Sequence, residues 1–230
     1  MDGERVLGVD ACKKGWVGVA LAGGRLEAYF ATHIEDLVSR AEADGEVGVV
    51  AVDMPIGLPD RGRRRADVLT RLEVGPRRNS VFMTPSRPAL EAGDHVSAVA
   101  INNRLAGEGV SRQAFALREK LLQVDEWVRR LRRRVVEVHP ELCFARLAGS
   151  PLPHAKSTWA GVEHRRALLA SAGIAIPGDI GMAGETAGVD DVLDAAVAAW
   201  TARRVAAGTA RPLPDPPEVF GDGLPCAIWA

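Results

Sequence analysis

Hydrophobic and polar positions along the first third of the chain fall into short runs broken by turn residues. RVLGVDA, GWVGVALA and RLEAYFA, within residues 5–31, are rich in Val, Leu and aromatics and predict three short strands. Their connections, KKG and GG, are too short for crossover helices, so the three form an antiparallel meander. HIEDLVSRAEA then sets Ile34, Leu37, Val38 and Ala41 on one helical face. GVVAVDM follows as a continuous apolar run, the pattern of a central strand buried on both faces.

Further on, PIGLPDRG predicts a loop and RRRADVLTRLE a short helix, with VGPRRNSVFMTPSRP irregular. PALEAGDHVSAVAINNRLAG and SRQAFALREKLLQVDEWVRRLRR have helical spacing, the second with Ser111 as N-cap. RVVEVHPE predicts a strand whose Glu137 and His139 share a face. ELCFARLAG and STWAGVEHRRALLASAG are expected helices and PGDIGMAGETAG a loop. DDVLDAAVAAWTARRVAAG is a helix with Asp190 as N-cap and glycine beyond its end. The tail PLPDPP is expected to wrap the surface, and CAIWA to add an edge strand. No internal repeat or linker divides the chain. The expectation is a single α/β domain over 1–230, a mixed sheet of meander plus parallel strands flanked by helices, with an Arg-rich, mostly helical insertion at about 55–133.

That order has a chemical consequence. A helical crossover from the meander places the GVVAVDM strand parallel to the first, as its neighbour. Asp10 and Asp53 would then end adjacent strands at one sheet edge, where open sheets of this kind place their sites. Glu137 ends another strand, and Asp191 and Asp194, spaced i, i+3, share a helix face. Carboxylates that converge repel one another and take up protons unless a divalent cation neutralises them. Hard oxygen ligands suit Mg²⁺ or Mn²⁺, and two such ions can activate water and stabilise the leaving oxygen in phosphodiester hydrolysis. Taken singly, each residue has a plainer role: a turn former at Asp10 or Asp53, a helix cap at Asp190, a solvent-facing or arginine-paired carboxylate at Glu137.

Charge adds a second theme. The net charge of the 230 residues is −1, yet Arg61, Arg63, Arg64, Arg65, Arg71, Arg77, Arg78 and Arg87 cluster, and RRLRRR fills 129–134. Such patches bind phosphates even at near-zero net charge, although a chain with only four lysines also carries arginine as ordinary surface. Cys12, Cys143 and Cys226 are widely spaced without a CxxC pair, which argues against a disulfide framework or structural zinc and for buried thiols. No apolar run is long enough to span a bilayer, and MDGERVLGVD does not read as a signal peptide, so a cytoplasmic protein is expected.

GVDACKKGW, DMPIGLP, RRNSVF with PSR, SRQAFAL, QVD, EVHPELCF and DDVLDA, spread in order over positions 8–196, resemble the motifs of a family catalogued as domain of unknown function 429. That family is described as predicted nucleases with a ribonuclease H-like fold. The Asp191 to Ala195 ending is also similar to the last motif of Holliday-junction resolvases. The resemblance implies Asp10 and Asp53 as strand-end metal ligands, with Asp191 and Asp194 completing the site. Glu137 would be a second-metal or substrate-side group, and His139 would orient water or phosphate. Lys14, Arg63, Arg71, Arg77, Arg78, Arg87, Lys156 and Arg165 would hold phosphates. The implied activity is that of a Mg²⁺- or Mn²⁺-dependent nuclease acting on nucleic acid or nucleotide, and the resolvase likeness allows a homodimer. The long insertion instead suits a pocket for a small phosphorylated molecule, since one Tyr and five Phe offer few surfaces for base stacking. Phosphoryl transfer, with DACKKGW cradling a phosphate as in the sugar-kinase and actin superfamily, and a non-catalytic nucleotide-binding module are the competing readings.

Overall fold

The computed structural model describes residues 4–130 and 134–230. In chain order the elements are β1 (Val6–Cys12), β2 (Gly15–Ala22), β3 (Arg25–Ala31), α1 (Ile34–Ala43), β4 (Val49–Val52) and α2 (Arg65–Glu73). A 3-10 turn over Gly75–Ser80 precedes α3 (Arg87–Leu90), α4 (His95–Ala106), α5 (Arg112–Ala116) and α6 (Arg118–Arg130). Then come β5 (Arg134–Val138), α7 (Pro140–Ala148), α8 (Trp159–Ser171), α9 (Met182–Thr186), α10 (Val189–Ala206), β6 (Pro212–Val219) and β7 (Pro225–Trp229). The protein is α/β, with strands paired both parallel and antiparallel. Among the described residues no helix is long and apolar enough to cross a membrane.

The chain divides into two compact units, the first comprising Met1–Met54, Arg132–Arg211 and Trp229–Ala230. Its strands run in the order β3-β2-β1-β4-β5. The meander pairs antiparallel, and β4 pairs parallel to both β1 and β5, in the registers Val9↔Val52 and Val52↔Glu137. Period-two alternation then sorts the two faces. Val6, Gly8 and Asp10 share a face with Val49 and Ala51, with Val17, Val19 and Leu21 of β2, and with Val136 and Val138 of β5. That face packs on α10, whose Ala195, Ala198, Ala199 and Ala202 are fully buried. Leu7 and Gly18 lie on the other face, where Leu37 of α1 covers them.

Gly8 sets how close the sheet and α10 come. A Cβ there would overlap the Ala195 carbonyl and the Ala199 amide, so only glycine allows the helix backbone to rest on β1. The alanine stripe on α10 serves the same close approach from the other side.

The second unit comprises Pro55–Leu131 and Pro212–Ile228. Ala89, Ala98, Val110 and Ala114 form a small core packed by Phe82, Val99, Ile101 and Phe115. The expected tail PLPDPP is in fact most of strand β6, which pairs with β7. Proline is tolerated there because an edge strand does not need every N–H for a ladder. The long helix expected from Ser111 is broken at Leu117. Ser111 does cap it, accepting from the Ala114 amide, and at the interruption the Leu117 amide is shared between the Gln113 and Ala114 carbonyls, a locally tightened turn. No glycine or proline marks that break. Of the RRLRRR group, residues 131–133 lie outside the described residues.

Two smaller differences concern the first unit. PGDIGMAGETAG holds a short helix, α9, anchored by buried Ala183. Helix α10 starts at Val189 with Gly188 as N-cap, and Asp191, not Asp190, reaches back to accept from the Gly188 amide at 3.1 Å. All three cysteines are buried, and none of them forms a disulfide.

Candidate carboxylate site

Register alone brings the first two carboxylates together. Asp10 and Asp53 each follow the paired residues Val9 and Val52, and the Asp53 amide donates to the Val9 carbonyl at 2.9 Å. Asp10 is 5% exposed and accepts from the Ala11 amide at 2.7 Å, while Asp53 is half-buried. On the same face, Asp194 projects from the second turn of α10 and is 2% exposed.

Their charges act on one another. Burial, reinforced by the negative charges of Asp53 and Asp194, holds the Asp10 carboxyl well above the usual carboxylate range. Burial and then the Asp194 charge push Asp53 up to about 8, against the opposing pull of Lys156. Burial raises Asp194 to about 6 despite the same lysine. The causes are desolvation and like charge, the two effects that favour the protonated form.

Lys156 is the cation inside this cluster. Its Nζ lies 2.6 Å from Asp194 Oδ2 and 3.5 Å from Asp190 Oδ2. It sits in the loop before α8, where Thr158 caps the helix by accepting from the Gly161 amide at 3.1 Å. The carboxylates hold the ammonium in its charged form more firmly than usual, against the opposing effect of burial.

Other predicted site residues fall elsewhere. Glu137 is level with Val52, so strand alternation puts it on the face opposite Asp10 and Asp53. It is 4% exposed, although its charge reaches Asp53. His139 is half-buried and occupies the N-cap position of α7 without a side-chain cap bond. Arg165 is fully buried: it donates to Glu141 Oε1 at 2.7 Å and to the His154 and Gly161 carbonyls, and it stacks over Phe144. Lys14 is exposed in the turn between β1 and β2, just beyond Asp10.

The arginines of the insertion belong to the second unit. Arg87 makes a fork to Asp125, with both bonds at 2.8 Å, and approaches Asp222 at 3.4 Å. Those contacts tie PSR and QVD into one ion-pair network. Arg64, read as part of the surface patch, is completely buried and bonds Cys226 Sγ, Thr84 Oγ1 and the Ile56 carbonyl. Arg63 pairs with Glu108 at 3.0 Å. Arg71 and Arg77 are half-buried at the end of α2 and in the 3-10 turn, and Arg78 is exposed.

Sequence reasoning missed Glu141, the second acid of EVHPE. It is buried in the first turn of α7, and its charge bears on Asp194. It also missed Asp190 as a partner of Lys156. The spacing of EVHPE holds the signal for Glu141, because proline after His139 ends the strand and turns the next acid onto a helix.

Asp10, Asp53 and Asp194 are hard oxygen donors whose mutual repulsion a divalent ion would relieve, so their chemistry fits Mg²⁺ or Mn²⁺. Their present arrangement is not that of a closed coordination shell: among the described residues no group of three or more His, Cys, Asp or Glu side chains forms a ready metal site. Lys156 is a cation in direct contact with the cluster, and the charge of buried Arg165 also favours the ionised form of Asp194.

The profile of a family described as "Protein of unknown function (DUF429)" covers residues 8–219. No curated protein matches the chain, and no solved structure does.

Proposed function

The chain belongs to the DUF429 family of proteins of unknown function, and from its own site we propose that it is a divalent-metal-dependent phosphodiester hydrolase acting on nucleic acid. The observation that carries this reading is the convergence of Asp10, Asp53 and Asp194 at the carboxyl ends of two parallel strands and the start of α10. Three buried or half-buried carboxylates with strongly raised protonation are costly to keep. The meander, crossover helix and parallel fourth strand support reading the first unit as ribonuclease H-like.

Asp10, Asp53 and Asp194 would hold Mg²⁺ or Mn²⁺, with Asp191 beside them. A bound ion of this kind supplies an acidified water and charge neutralisation at the leaving oxygen of a phosphodiester. The chain's own part is positional. Gly8 and the alanines of α10 fix the distance between helix and strand, and hence between Asp194 and Asp10. Lys13 and Lys14, exposed next to Asp10, are placed to meet substrate phosphates.

The test is cleavage of labelled single-stranded, duplex, branched and RNA–DNA hybrid substrates with Mn²⁺, comparing the wild type with Asp53→Asn. The expected result is cutting of at least one class, slowed on the order of 100-fold or more in the variant. A wild type that cuts none of them, or a variant that cuts equally well, would overturn the reading.

A further inference from the structure

We infer that Lys156 is a resident cation of the carboxylate cluster, holding Asp194 and Asp190 until a divalent metal displaces it, so that metal uptake is an exchange of one cation for another. The inference rests on the metal site proposed above and concerns a residue of this chain that the metal would have to move.

Geometry gives the first support. One ammonium touches Asp194 at 2.6 Å and lies 3.5 Å from Asp190, and its positive charge also bears on Asp10 and Asp53. A single monovalent group therefore contacts two acids of α10 and favours the ionised forms of Asp10 and Asp53 beside them. It does for the metal-free cluster what a divalent ion would do more completely.

Exposure gives the second. The Asp194 side chain is 3% exposed and cannot turn out to water, whereas the Lys156 side chain is 40% exposed. Of the two partners, the lysine is the one able to leave. Its ammonium is a compact charge on a flexible stem and regains hydration when it swings away.

The backbone around it is fixed, which confines the exchange to the side chain. Thr158 donates to the Ala155 carbonyl at 2.8 Å and accepts from the Gly161 amide at 3.1 Å. A Cβ on Gly161 would overlap the Ala155 carbonyl, so α8 is pressed against this loop. On the other side, buried Arg165 donates to the His154 carbonyl at 3.2 Å. Lys156 is thus mounted on an anchored loop with a mobile stem, and neither loop opening nor helix movement is needed for it to yield.

The experiment is calorimetric titration of Mn²⁺ into the wild type, Lys156→Met, Lys156→Arg and Lys14→Met. Removing the competing cation should tighten binding about tenfold in Lys156→Met, while Lys156→Arg, which keeps a charge there, stays within about threefold of wild type. Lys14→Met removes a lysine from the exposed turn and controls for net charge alone. It should also stay within about threefold. Equal affinity in the wild type and Lys156→Met overturns the exchange and leaves the metal site standing, as does an equal gain in Lys14→Met. Binding by none of the four proteins overturns the metal site itself and the exchange with it. Lys156→Gln serves as a second variant should Lys156→Met fold poorly. For either one, a given Mn²⁺ concentration should raise the melting temperature more than it does in wild type. A smaller rise contradicts the exchange.

Discussion

Asp53 follows Val52 as Asp10 follows Val9, and because those two valines are the last pair of the parallel β1–β4 ladder, the two aspartates stand side by side just beyond it, Asp10 still within β1 and paired with Val17 of β2. The Asp53 amide bonds to the Val9 carbonyl, extending the ladder one step to the aspartates themselves. Two acids so placed are costly in a metal-free protein. Asp53→Asn should therefore raise the melting temperature measured in chelator at pH 8 while it removes turnover, the trade expected where a site is kept at the cost of stability. A lower melting temperature would show that Asp53 is stabilising as it stands.

The same repulsion fixes a pH dependence. Burial and neighbouring negative charge push Asp53 up to about 8 and Asp194 up to about 6 in the folded protein, and Asp10 is raised as well. Folded values above unfolded ones mean that the native state binds more protons between them. The stability gained from those protons is complete below the ordinary carboxylate range and is lost as pH climbs through 6 and then 8. Thermal melts in chelator should show stability falling from pH 6 to pH 9, with the step near 8 flattened in Asp53→Asn. Metal binding releases those protons, so Mn²⁺ affinity should rise over the same interval.

Gly8→Ala tests the contact between β1 and α10. The added methyl would overlap helix backbone, which cannot rotate aside as a side chain can. Overpacking of this kind costs about 1–3 kcal/mol. The expected drop in melting temperature is several degrees, with Mn²⁺ binding weakened because Asp194 is carried outward with its helix. An unaffected melt would mean that β1 and α10 have room between their backbones for a methyl group.

Arg165 and Glu141 form a buried pair, and breaking only one side leaves a lone charge in the interior. Arg165→Met should cost about 3–5 kcal/mol in denaturant unfolding, and adding Glu141→Met should restore a large part of it. If the double variant is no more stable than the single one, packing over Phe144 outweighs the charge pairing.

Glu137→Gln separates the two faces of the sheet. Its side chain lies on the face away from Asp10, so Mn²⁺ affinity should change by no more than about threefold, a through-space effect on Asp53. Loss of binding comparable to that in an Asp10 variant would place Glu137 among the ligands.

Which of these features could be read without coordinates follows a physical line. The neighbouring aspartates were legible because a short turn forces an antiparallel hairpin and a helical crossover returns the chain parallel. The face of Glu137 was not, since it depends on a one-residue register between β4 and β5 that no local pattern encodes. Arg64 looked like surface among its neighbours. Its burial depends on Thr84 and Cys226, 20 and 162 residues away in sequence. The cap of α10 was misplaced by two residues because Asp190 is the stronger capping type in isolation, whereas Asp191 stands three residues past Gly188 and can close the reciprocal bond. Gly8 gave no sign of its role, because a glycine in a strand and alanines nearly 190 residues later are informative only as a pair.

The most direct test of the central claim is a calorimetric titration of Mn²⁺ into the wild type and into Asp10→Asn, side by side at pH 8. Asp10 is buried at the centre of the cluster, and its amide variant keeps shape while removing charge. Saturable binding by the wild type, lost in the variant, is the predicted result and would mean that β1 carries an acid beside Asp53 in order to hold a metal. Binding that survives intact in Asp10→Asn, or none in the wild type, would contradict it.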